Sequence, residues 1–143
     1  MREVLFRGKR IDNGEWVSGS LITDEVNHAY IAQIIAGELV TFEVFPETVG
    51  QYTGRTDKKG TMIFEGDVVQ LTSERSDYGR WLVCYGKHRP SCENCFSGAG
   101  YMIGFYIQSF DESCSEESIL FDEQEGWALE VVACYYKLKG GEK

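Results

Sequence analysis

Apolar and aromatic residues recur along the chain in short runs, separated by breaks centred on glycine, asparagine and aspartate. Runs rich in Val, Ile, Thr, Tyr, Phe and Trp between turn formers predict strands, here over residues 4–7, 15–22, 29–35, 39–45, 67–72, 79–85, 101–107 and 130–138. The breaks have matching chemistry. Asp12-Asn13-Gly14 predicts a tight hairpin in which Gly14 takes a positive φ, and Ala36-Gly37-Glu38 predicts a second reversal. Two stretches admit another reading. Ile31, Ile34 and Ile35 have the i, i+3, i+4 spacing of a helix that Gly37 would end, although the flanking pattern favours a strand. Residues 111–125 hold seven acidic side chains (Asp111, Glu112, Glu116, Glu117, Asp122, Glu123, Glu125) and no basic one, which fits either a short helix carrying Ile119 and Leu120 or a loop.

Sixteen glycines against two prolines reinforce the all-β rhythm, and 143 residues make about one domain or two small lobes. The seam at Asp57-Lys58-Lys59-Gly60 divides an N-terminal β region, 1–60, from a second part, 61–143; one compact domain over 1–143 is the alternative. At 43% hydrophobic and 26% charged residues, the chain has enough apolar surface for a core that needs no metal or disulfide. The expected cofactor is therefore none.

Charge narrows the partners. Fourteen Lys and Arg face 23 Asp and Glu, a net charge of −9. The imbalance is even along the chain, with 7 basic and 11 acidic residues over 1–71 and 7 and 12 over 72–143. Binding to nucleic acid rests on cations meeting phosphates, so a uniformly acidic chain disfavours DNA, RNA and anionic membranes. Arg2, Arg7, Lys9 and Arg10 form one basic stretch, read as a solvated strand face. No apolar run reaches membrane-spanning length and MREVLFRGKR lacks a signal-type apolar core, so the chain reads as cytoplasmic. Five cysteines, an odd number, are expected to be reduced thiols. Cys84 and Cys134 fall in apolar strands and read as core.

Few residues are arranged for chemistry. His88-x3-Cys92-x2-Cys95 is the one metal-like constellation: Cys-x2-Cys lets two thiolates reach one tetrahedral zinc, with His88 or Cys114 to complete the shell, but a second such pair is missing. Glu65 and Asp67, at i and i+2, would share a strand face and could hold a cation or relay a proton. In the competing reading, Gly66 takes a strained turn and Asp67 caps main-chain N–H groups that the turn leaves unpaired, as at the entry to a strand in small SH3-like barrels. No nucleophile elbow or phosphate-cradling glycine loop is present, and His28 has no motif around it. Trp16, Trp81, Trp127 and the other aromatics, set among acids, read as core packing.

Five blocks agree in order and spacing with a known family: Phe6-Arg7-Gly8-Lys9-Arg10, Gly14-Glu15-Trp16-Val17-x-Gly19-Ser20-Leu21, the nine residues from Pro46 to Gly54, Asp57-Lys58-Lys59-Gly60, and Phe64-Glu65-Gly66-Asp67-Val68-Val69. On these, about half the chain, the sequence resembles the YopX family of phage and prophage proteins. The closing segment Leu129–Tyr136 keeps a strand but lacks the Gly-Asn pair common in the family, and the His88/Cys92/Cys95 loop is not a family feature. The resemblance implies a mainly β fold containing an SH3-like barrel, over 61–143 with an N-terminal β extension or second small lobe, and no enzyme activity. The candidate binding residues within the blocks are Arg7, Lys9, Glu47, Gln51, Tyr52, Arg55, Glu65 and Asp67, where Arg7 or Arg55 would pair with Glu47, Glu65 or Asp67. The expected function is that of a small non-enzymatic accessory protein acting through contacts with its own copies or with a host or phage protein. A nucleic-acid module and a zinc-binding loop at His88, Cys92 and Cys95 are the alternatives.

Overall fold

Strand, and almost nothing else, is what the aromatic and β-branched runs form. The computed structural model describes residues 3–73, 77–88, 102–109, 117–118 and 127–134, and among these a 3-10 turn at Pro46–Thr48 is the sole helical element. The all-β expectation holds. The chain divides into two units, Met1–Gly54 and Arg55–Lys143.

The first unit contains β1 (Phe6–Lys9), β2 (Trp16–Thr23), β3 (Ala29–Ile35), β4 (Glu38–Val44), the 3-10 turn and β5 (Gly50–Thr56), which carries the chain into the second unit. Its strands lie in the order β4-β3-β2-β1-β5. Gly14 ends the first hairpin loop at φ 70°, and the Asn13 side-chain oxygen accepts the Glu15 N–H at 2.9 Å. Between β3 and β4 the pair Ile35↔Glu38 leaves a two-residue turn. Ala36 and Gly37 both have positive φ there, 52° and 80°, as a turn matched to strand twist requires. Residues 29–35 pair as a strand with β2 on one side and β4 on the other, so the helix reading of the isoleucines fails.

Two glycines in this unit sit where only a hydrogen fits. A Cβ on Gly19 would lie 2.3 Å from the Ala32 carbonyl oxygen, and one on Gly8 would lie 2.7 Å from a Val44 methyl. Those approaches let the sheet curl. Beyond its β5 pairing, the end of β1 bridges β4 at Arg10↔Val44, with Ile11 N donating to Glu43 O at 3.0 Å and Phe45 N to Lys9 O at 2.9 Å. The enclosed core is Ala29, Ile31 and Val44, with Phe6, Val17, Leu21 and Val49 against it.

The second unit contains β6 (Met62–Phe64), β7 (Asp67–Ser73), β8 (Asp77–His88), β9 (Met102–Ser109), β10 (Glu117–Ser118) and β11 (Trp127–Cys134). Five of them form an antiparallel sheet in the order β10-β9-β8-β7-β11. Its core gathers Ile63, Val69, Leu71, Trp81, Val83 and Ile107, with Leu129 and Val131 packed on it. No described pairing joins β10 to β11, so a barrel over 61–143 is not among the described pairings. Apart from β10, residues 111–125 lie outside the described part of the chain.

Candidate functional site

Five of the predicted binding residues meet in the first unit where β1, the 3-10 turn and β5 join. The register places Arg7 opposite Gly50 and Phe6 opposite Gln51, and Tyr52 N donates to Leu5 O at 2.7 Å. The Thr48 hydroxyl fastens the junction: it accepts the Lys9 N–H at 2.9 Å and donates to Phe45 O at 2.6 Å. Tyr52 and Lys9 are buried, whereas Glu47 in the turn is exposed. The Arg7 guanidinium lies 4.9 Å from the Trp16 ring centroid. Buried main-chain bonding and ring stacking make this junction architectural.

The opening basic stretch is correspondingly not a plain solvated face. Arg10 chelates Asp12 through both carboxylate oxygens, at 3.0 and 2.6 Å, and covers the Phe42 ring at 4.5 Å. That hydrogen bonding holds the Asp12 carboxyl below its usual range.

In the second unit the glycine seam proves to be a latch. Asp57 is 8% exposed. One of its carboxylate oxygens accepts the N–H groups of Lys59 and Thr61, both at 2.9 Å, and the other accepts the N–H of Val131 on β11 at 2.9 Å. Lys58 N adds a bond to Leu129 O at 3.1 Å. Burial alone would raise the Asp57 pKa; the three N–H donors, with Lys59 nearby, outweigh it and hold the carboxyl below the ordinary range. Glu130, on the same strand, bridges Lys58 at 3.3 Å and Lys59 at 2.6 Å. Residues 57–61 thus cover an outer edge of this sheet, where exposed main chain would otherwise invite another strand. The seam signalled a boundary in the sequence, but not this role for Asp57.

Arg55 is half-buried on β5. Asp67 is 1% exposed and accepts the Phe64 N–H at 2.8 Å, while Gly66, at φ 89°, donates to Val83 O at 2.9 Å. The geometry is that of a capped turn, with Glu65 half-buried beside Gly66. Among the described residues no three His, Cys, Asp or Glu side chains gather as a metal site. His88 ends β8, and Cys92 and Cys95 lie outside the described residues. Cys84 and Cys134 form no disulfide and are only half-buried, so neither is a core residue in the strict sense.

The most exposed apolar ground of the first unit is the β3–β4 hairpin, where Ile34 is 70%, Leu39 66% and Ile35 47% exposed. Ile34 and Leu39 face each other across the pair, so the two form one patch on the outer face. A shallow depression lined by Thr23, Asp24, Glu25 and Val26 lies in the β2–β3 loop. There Asp24 accepts the N–H groups of Val26 and His28 at 3.0 and 2.8 Å and meets His28 Nδ1 at 2.8 Å. The patch was legible only as a pattern: Ile34-Ile35 ahead of the turn and Leu39 after it place apolar groups on both faces of a tip.

The protein family described as YopX protein matches residues 5–95. The chain belongs to the YopX family. Four of the five sequence blocks fall on the structures just described: β1, the first hairpin, the Asp57 latch and the Asp67 cap; the block from Pro46 supplies the 3-10 turn and the start of β5. Among the described residues, these YopX-family blocks build main-chain fastenings. No curated protein and no solved structure matches the chain. Among the described residues no helix is long and apolar enough to cross a membrane.

Proposed function

We propose that this YopX-family protein is a small, non-enzymatic accessory protein of a phage or prophage, working in the cytoplasm of the bacterial host through protein contacts. The observation that carries the reading is the exposed apolar pair Ile34 and Leu39 on the outer face of the β3–β4 hairpin, with Ile35 exposed on the other face of its tip. Apolar side chains held out on a rigid tip are a feature of interaction surfaces. The ionisable groups speak for the same role, since the most buried carboxylates, Asp57 and Asp67, accept main-chain N–H groups. Phosphate binding has less to draw on: Arg10, Lys58 and Lys59 are each matched to a carboxylate.

Light scattering and chemical cross-linking of the full chain in host lysate test this reading, against the double variant Ile34→Lys, Leu39→Lys. The expected result is a defined complex, with itself or another protein, whose cross-links at the hairpin vanish in the variant. A monomer without cross-links at low salt overturns it.

A further inference from the structure

The two outer edges at β4 and β11 are treated differently. On β11 the 57–61 turn bonds Leu129 and Val131. On β4 the coverage by the described residues stops short. Glu43 O and Phe45 N face away from β3 and are taken by Ile11 and Lys9. Main-chain direction alternates along a strand, so the N–H and C=O groups of Leu39 and Thr41 point to that same side. There β4 is the outermost strand, and the first hairpin has already turned away at Asp12–Gly14. Ile34 and Leu39 stand beside this open stretch.

Charge says what fits. From Ile11 to Gly54 the sequence has seven acidic residues and no Lys or Arg, and Glu38 and Glu43 bracket the open stretch. A second copy pairing here would bring its own Glu38 and Glu43, while its one cation beside β4, Arg10, is already taken by Asp12, and like charges across a strand pair are unfavourable. We propose that the β4 edge at Leu39–Thr41 receives an extended segment of a different protein, with β-branched residues at its centre and Lys or Arg flanking them. The segment adds a strand to the sheet through the main-chain groups of Leu39 and Thr41. Its apolar side chains pack on Ile34 and Leu39, and its cations meet Glu38 and Glu43. This inference rests on the protein-contact reading and specifies its partner.

The test uses the full chain and two fluorescent synthetic peptides, Lys-Lys-Val-Thr-Val-Lys-Lys and the same peptide with Glu for every Lys, read by anisotropy. The basic peptide should bind at least about tenfold more tightly than the acidic one and weaken as salt screens the charges. The double variant Glu38→Lys, Glu43→Lys should reverse the preference. Thr41→Pro should abolish binding with the sheet intact, because its N–H serves no bond to β3; an unchanged circular dichroism spectrum checks this. Equal binding of the two peptides, no binding of either, or full affinity in Thr41→Pro overturns the inference. If the peptides fail while hairpin cross-links persist in lysate, the edge assignment falls and the protein-contact reading stands.

Discussion

Asp57→Ala is the sharpest probe of how the second unit holds its edge. Three main-chain N–H groups, those of Lys59, Thr61 and Val131, lose their acceptor at once. A hydrogen bond to an ionised acceptor contributes about 1.5–3 kcal/mol, and bonds sharing one carboxylate are not additive. Two of the three lie within one turn, where water replaces part of the loss. A total of about 3–4 kcal/mol follows, equivalent to roughly 6–16 °C in Tm for a chain of this size. Asp57→Asn should cost about half as much, since one amide oxygen still accepts while the NH2 group faces an N–H donor.

Urea denaturation followed by tryptophan fluorescence gives the stability, and amide exchange locates it. The N–H groups of Val131 and Lys58 should lose protection in Asp57→Ala far more than those of the β7–β8 pair. The pH dependence has a definite sign. A carboxyl whose folded pKa is depressed contributes fully above its unfolded pKa, near ~4, and loses that contribution as pH falls through the folded value. The acid limb of stability against pH should therefore be shallower in Asp57→Ala than in the wild type. A loss under about 1 kcal/mol, smaller than one charged hydrogen bond, with Val131 protection unchanged would refute the latch.

Three further outcomes follow from the backbone and the surface. Ala36→Asn should stabilise the first unit by about 0.5–1 kcal/mol, because Ala36 sits at φ 52° in a turn that prefers Asn-Gly, and urea midpoints read the gain. Gly19→Ala should cost about 3 kcal/mol, since its methyl would meet the Ala32 carbonyl at 2.3 Å, while Gly104→Ala, with nothing within 4 Å, should leave the midpoint in place. Glu130→Gln should move Tm by no more than about 2 °C although it breaks two ion pairs, because both lysines are largely in solvent.

Most of the strand plan was legible in the sequence, for a definite reason. Runs of strand-favouring residues and glycine turns are local, and the stretches at 29–35 and 67–72 carry both. What escaped were short elements whose pattern depends on distant residues. Gly50–Thr56 holds two glycines and four polar residues, Gln51, Thr53, Arg55 and Thr56, and it is a strand because β1 lies beside it. Met62–Phe64 is three residues long, below the length at which alternation can be seen. The solvated-face reading of the opening basic stretch fails at Arg10 for the same reason: Asp12 and Phe42, which occupy it, are brought to it by the fold.

The edges show the limit more clearly. Nothing in the sequence of β4 distinguishes an outer strand from an inner one; Leu-Val-Thr-Phe would suit either. Its accessibility is set by where the Asp12–Gly14 loop turns away from Glu43, and the closure of β11 by a carboxylate 74 residues distant. Glu38 and Glu43 could be read as ordinary surface charge until the sheet order placed them on either side of main chain that has no partner strand among the described residues. The proposed edge pairing therefore depends on strand order, and a single substitution such as Thr41→Pro, nearly silent in stability, is the change that tests it.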